Sequence, residues 1–150
     1  MGPLATVLFS VATVVAPPPG ALPPGHDPSA DAVVVSQLVF GTDLDAFVKG
    51  RGAARRLHPH LDWTTDGCSA PVVGSSGRSF NFRSACVRHD FAYRNFARLG
   101  LLDAPMRARV DEVFRLDLMS TCSRKPTGSR IRCLAWSEVF FAAVRAVGGA

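Results

Sequence analysis

At 150 residues the chain has the length of one domain with a real core, and an apolar content of 47% excludes a disordered chain. Its net charge of +5 comes almost wholly from arginine, fifteen Arg against two Lys. Such a balance suits an anionic partner, membrane or nucleic acid, and charge alone does not choose between them.

The first element is an uninterrupted apolar run, LATVLFSVATVVA at residues 4–16. It is too short to span a bilayer as a mature helix and has the length of a signal-peptide hydrophobic region, although no Lys or Arg precedes it. Residues 17–30 carry six prolines and read as a linker or processed pro-region. Ala30-Asp31-Ala32 offers a small-x-small cleavage pattern but lies far downstream, so no cut is assigned. A buried N-terminal helix is the alternative. Residues 1–30 are therefore expected to be a signal peptide and linker, and 31–150 a single folded domain. No later segment approaches membrane-spanning length.

From residue 31 the pattern turns helical. One helix can start at Asp31, and a second has Thr42 as its N-cap with Asp45 three residues on, a capping-box variant. Residues 58–77 lack helical periodicity and are rich in turn formers, so they form a loop, with His58 and His60 as solvated loop residues and Asp62-Trp63 capping and packing. Phe82 to Leu99 is a helix that Gly100 ends. Asp103 caps the next, with Pro105 in its tolerated first turn and Val110, Val113, Phe114 and Leu118 as its apolar stripe. A basic loop over 123–133 leads to a last helix stopped by glycines. Strand signals are nearly absent. The fold reads as all-α, with two long antiparallel helices and shorter ones packed around them.

The four cysteines, at 68, 86, 122 and 133, contain no C-x-x-C pair and fit a Cys₄ zinc site poorly. Two disulfides would require an oxidising compartment, consistent with the apolar leader.

The chemistry concentrates in CVRHDFAYRN at residues 86–95. On a helix turning 100° per residue, Cys86, His89, Asp90 and Tyr93 share one arc of about 100°. That face is too polar for a core stripe and too apolar for a solvated one. Two further pieces complete the set: the TTDGC loop with Asp66-Gly67, and Asp111 beside apolar neighbours on the facing helix. Aspartates offer hard oxygen ligands, and a glycine can turn its carbonyl toward a cation. A carboxylate against an imidazole fixes its tautomer and stabilises the imidazolium formed on proton abstraction. Tyr93 is a core aromatic or a hydrogen-bond donor to such a carboxylate.

WTTDGC, CVRHDFAYRN and RVD, followed by two further cysteines, resemble the secreted phospholipase A2 family of bacteria and fungi, from about residue 61 to 147. The resemblance implies a calcium-dependent hydrolase of the sn-2 ester of glycerophospholipids. His89 would be the general base, oriented by Asp111. Ca²⁺ would be held by Asp66, the Gly67 carbonyl and Asp90, with water completing the coordination. It also implies disulfides Cys68–Cys86 and Cys122–Cys133, an extracellular location, and a monomer working at a membrane or micelle surface rather than on nucleic acid.

Two rivals come from other classes. A helix-borne histidine-aspartate pair also suits metal-dependent nucleotide phosphohydrolases, which need an upstream helical histidine where this chain has only His58 and His60 in a loop. A non-enzymatic cationic membrane-binding protein is the other, and the presence of His89 and Asp66 argues against it.

Overall fold

The computed structural model describes residues 27–67, 76–77 and 80–148. Among them are five helices: α1 (Pro28–Phe40), α2 (Leu44–Leu57), α3 (Arg83–Arg98), α4 (Ala104–Ser123) and α5 (Thr127–Gly148). The described strands are two-residue pieces, β1 (Ser76–Gly77) and β2 (Phe80–Asn81), paired antiparallel with Ser76 opposite Asn81. The all-α expectation holds. The apolar run at 4–16, the proline-rich segment and Cys68 lie outside the described residues.

Short aspartates start three of the helices by accepting a backbone N–H that has no intrahelical partner. Asp103 caps α4 by accepting from the Met106 N–H, with Pro105 in the first turn. The first two helices start elsewhere than the sequence suggested. Asp27, not Asp31, caps α1, because Pro28 fits the first helical position and the Asp27 carboxylate reaches the Ser29 N–H. Asp43, not Thr42, caps α2 by accepting from Ala46 N–H, while the Thr42 hydroxyl donates back to the Leu38 carbonyl. At the end of α3, Gly100 takes φ +69°, the left-handed conformation that closes a helix without a Cβ clash.

The basic stretch expected as a loop is helical from Thr127 onward. Its turn formers Thr127, Gly128 and Ser129 all fall in the first turn, where they are tolerated, and the following Arg-Ile-Arg favours helix. The disulfide Cys122–Cys133 staples the end of α4 to this new first part of α5. α5, at 22 residues, is thus longer than the two helices expected to dominate.

Helices α3, α4 and α5 run antiparallel in succession. Arg88 and Tyr93 of α3 meet Asp117 and Asp111 of α4, the later residue of one pairing with the earlier of the other. The same reversal relates Cys122–Cys133 and Arg115–Glu138 between α4 and α5. α3 is buried on two faces. One, with Cys86, joins Phe82, Phe114, Leu118 and Phe140. The other, with Phe91 and Phe96, joins Val35, Val39, Phe47 and Trp63. Each fully buried Phe or Leu contributes about 1.5–3 kcal/mol against its exposed state.

Between these clusters lies an ion pair. Arg88 Nε and Nη2 donate to the two carboxylate oxygens of Asp117 at 2.8 and 2.7 Å, and Nη1 donates to the Thr42 carbonyl at 2.7 Å. Both side chains are about 5% exposed. Burial pushes the Asp117 carboxyl up to about 6, against the opposing pull of Arg88, so the pair is ionised at neutral pH. Removing one partner strands a buried charge. Arg88→Ala should lower unfolding free energy in urea by about 3–5 kcal/mol, whereas the joint replacement Arg88→Met with Asp117→Leu should recover most of it. A loss below about 1 kcal/mol for Arg88→Ala would show a pair no stronger than a solvated one.

Candidate active site

The α3–α4 contact places His89 and Asp111 together. His89 Nε2 lies 3.0 Å from Asp111 Oδ1, and both residues are buried. The Tyr93 hydroxyl donates to the same oxygen at 2.8 Å, one helical turn on from His89. The imidazole packs between Tyr93 and Phe114, at centroid distances of 4.5 and 4.6 Å. Arg145 of α5 approaches Asp111 Oδ2 from the solvent side at 3.5 Å.

Burial alone would raise the Asp111 carboxyl. The hydrogen bonds from His89 and Tyr93, with the charges of His89 and Arg145, outweigh it and hold the carboxyl below the usual aspartate range. Burial, and then the bond to Asp111, pushes the Tyr93 hydroxyl well above its ordinary range, so it remains a donor. An ionised carboxylate only accepts, so the proton in the His89–Asp111 bond belongs to Nε2. Nδ1 is then the basic ring nitrogen.

Asp90 meets the 65–67 loop. Its Oδ2 accepts from the Thr65 hydroxyl and from the N–H groups of Asp66 and Gly67, the latter two at 3.2 Å. Gly67 sits at φ +70°, where a side chain would be strained. The Asp66 carboxylate is more than half exposed and lies 3.4 Å from Arg94 Nη2. Among the described residues no three His, Cys, Asp or Glu side chains cluster as a metal site. Two carboxylates and the backbone oxygens of a loop remain, and this hard-oxygen set fits calcium rather than a softer metal.

The loop itself is clamped by Asn95. Its side-chain amide accepts from the Asp62 N–H and donates to the Asp62 carbonyl, each at 2.8 Å, as a neighbouring strand would. Trp63 stacks on Phe91 at 4.4 Å and donates Nε1–H to the His58 carbonyl. His60 is not a solvated loop residue: its Nε2 lies 2.8 Å from Asp31 Oδ1, both largely buried, because the loop folds back on α1. Cys86 is disulfide-bonded, and its expected partner Cys68 is outside the described residues. Cys122–Cys133 is present as expected. Sequence reasoning missed Thr65 and Arg145, while Asn95 lay within the quoted helix motif as a structural residue. Thr65 lay within the quoted loop motif and could have been taken from its hydroxyl. Arg145, on another helix, carried no local signal.

A helix-borne histidine backed by a carboxylate from the facing helix, next to a carboxylate held against a loop, is an arrangement able to move a proton in an enzyme site. The prokaryotic phospholipase A2 family profile matches residues 35–148, most of the chain. A secretory phospholipase A2 of Arthroderma benhamiae is 30% identical over 120 residues, 78% of each chain. One of Beauveria bassiana is 32% identical over 124 residues, 83% of this chain and 61% of that protein. The chain belongs to the prokaryotic phospholipase A2 family, and it is an enzyme, a phospholipase A2. The nucleotide phosphohydrolase and the non-enzymatic binder fall away.

The Tyr93 bond has a measurable consequence. Because the Asp111 pKa is depressed on folding, it contributes stability at pH values above the unfolded aspartate value of about 3.9, lost as pH falls through the folded value. Tyr93→Phe removes one of the bonds that lower it. The Asp111 carboxyl, followed by carbon-13 NMR, should then titrate at higher pH, and the stability lost between the unfolded and folded values should shrink. An unmoved titration would mean that the hydroxyl bond does not hold the carboxylate.

Proposed function

We propose that the chain is a secreted, calcium-dependent, monomeric phospholipase A2 that cleaves the sn-2 ester of glycerophospholipids at a membrane or micelle surface, releasing lysophospholipid and free fatty acid. The observation that carries this reading is the engagement of His89 Nε2 by Asp111, which leaves Nδ1 for the proton. His89 Nδ1 takes a proton from the water that attacks the ester carbonyl. The ionised Asp111 carboxylate, held by Tyr93, stabilises the imidazolium that results. His89 then returns the proton to the departing glycerol oxygen, so the base is regenerated within one cycle. Asp66, Asp90 and the Gly67 carbonyl would hold Ca²⁺, which when bound supplies positive charge to polarise the carbonyl and offset the oxyanion.

Secretion is supported by the apolar run at 4–16, by the Cys122–Cys133 disulfide and by relatives named secretory. In this reading residues 1–30 are a signal peptide and linker, residues 31–150 form the catalytic domain, and Cys68 pairs with Cys86.

Fatty-acid release from phospholipid vesicles should require calcium and stop on chelation. His89→Asn should lower turnover by about 10²–10⁴-fold while calorimetric calcium affinity stays as in the wild type, since no metal ligand is touched. Near-normal turnover would refute the base assignment. Asp90→Asn should weaken calcium binding, because a hard cation prefers a charged oxygen donor. Unchanged affinity in that variant would move the metal site elsewhere. Alkylation of the unreduced protein followed by mass mapping should find no modified cysteine and a Cys68–Cys86 peptide; a labelled Cys68 would reject the pairing.

A further inference from the structure

The Asp111 carboxylate has two oxygens, and the mechanism above uses one. Oδ1 takes both groups of α3, His89 Nε2 at 3.0 Å and the Tyr93 hydroxyl at 2.8 Å. Oδ2 faces a third helix, with Nε of Arg145, in the last turn of α5, 3.5 Å away. The Asp111 side chain is 9% exposed and that of Arg145 58% exposed, so water screens this pair chiefly from the arginine side.

The guanidinium is itself steered. Phe141 stands one turn earlier on α5, and Arg145 Cζ lies 5.7 Å from its ring centroid, within the range of attraction between a cation and an aromatic face. Phe141 packs against the cluster that contains Phe114 and Phe140. Arg145 thus rests on a ring anchored in the core and extends from it to Asp111. Arg115 of α4 meets the same ring at 5.9 Å but pairs with Glu138 at 3.1 Å.

A partner on Oδ2 matters because the terminal torsion of an aspartate is soft and roughly two-fold. With His89 and Tyr93 both on Oδ1, a turn of the carboxylate would loosen the two bonds together. A charge held at the other oxygen opposes that turn. Burial raises the Asp111 carboxyl; the hydrogen bonds from His89 and Tyr93, the His89 charge and then the Arg145 charge outweigh it.

We infer that Arg145 is a positioning residue for the hydrolysis: its guanidinium holds Oδ2 of Asp111 and so keeps Oδ1 directed at His89 Nε2. The inference rests on the phospholipase reading with His89 as base, and it adds the last turn of α5 to the site. Arg145 acts through Asp111 and not on the ester, so its loss falls on turnover. Asp66, Gly67 and Asp90 are left as they are.

The test uses the full-length chain. Arg145→Met keeps an unbranched side chain while removing the charge and the donors. Arg115→Met, on the same Phe141 ring but paired with Glu138, controls for the α4–α5 seam. With calcium and phospholipid vesicles, Arg145→Met should lower kcat about fivefold with KM within about twofold, the upper range for a pair with one exposed partner. Arg115→Met should leave both constants within about twofold of the wild type. An unchanged kcat in Arg145→Met, or an equal fall in Arg115→Met, overturns the inference. A rise in KM alone also overturns it and puts Arg145 on the substrate. Calorimetric calcium affinity should match the wild type in both variants, and a loss in Arg145→Met as large as the loss of turnover rejects a role through Asp111. The second readout needs no turnover. In the chelated protein the Asp111 carboxyl, followed by carbon-13 NMR, should titrate at higher pH in Arg145→Met and as in the wild type in Arg115→Met. An unmoved titration in Arg145→Met overturns the contact. If the wild type releases no fatty acid, the failure lies with the proposed hydrolysis. A carbon-13 shift confined to Arg145→Met then still supports the hold on Asp111, and equal shifts in both variants reject it.

Discussion

The register between α3 and α4 is the constraint on which the His89–Asp111 contact depends, and the buried Arg88–Asp117 pair fixes it. A guanidinium bonded through two nitrogens to both carboxylate oxygens tolerates little sliding. The next residue, His89, points one step around the helix, and Asp111 lies nearly two turns before Asp117. A slip of one turn, 5.4 Å, would therefore break the ion pair and the His89–Asp111 contact together. Apolar packing of Phe114 and Leu118 supplies the larger share of free energy but is less particular about register, because hydrophobic attraction is non-directional. The polar pair selects among alignments that the core alone would accept. Its third bond, to the Thr42 carbonyl, extends the constraint to the junction between α1 and α2.

α3 also organises the loop that meets Asp90. Asn95 lies five residues beyond Asp90 and grips the Asp62 backbone through both its N–H and its carbonyl. Trp63 anchors the same segment on Phe91. These contacts leave only a few residues between the clamp and Gly67, so the loop arrives at Asp90 with little freedom. The histidine, the carboxylate beside it and the loop that meets that carboxylate are thus all referred to one rigid helix, which suits chemistry that loses rate with small misplacements.

What the sequence made legible followed the range of each signal. The long helices were readable because periodicity and caps such as Asp103 and Gly100 act within a turn. The Asp31 and Thr42 starts failed because several residues in each stretch can cap, and the choice fell to Pro28 geometry and to the reach of Asp27 and Asp43. The stretch 123–133 read as a loop because its turn formers crowd one helix start, where they do no harm. His60 read as solvated because nothing local announces Asp31, 29 residues earlier. His89, Asp90 and Tyr93 stood out by their chemical type on one helical arc, and Asp66, Gly67 and Asp111 by type in a loop and beside an apolar stripe, whereas Arg145 and Asn95 acquire their partners only from the fold.

The arginines show why a net charge is a poor guide to what a surface does. Arg88 is neutralised inside the core, and Arg145 and Arg94 lie against Asp111 and Asp66. Arg124 and Asp45 pair at the surface, where the interaction contributes little. Most of these guanidinium groups are thus balanced locally, so the +5 of the whole chain is not spread evenly. It gathers where arginines converge without matching carboxylates, as Arg51 and Arg55 do beside the 65–67 loop. An anion approaching the protein responds to that local excess within a Debye length of about 8 Å at physiological salt. Placement of a few arginines, more than their number, decides where such an anion is drawn.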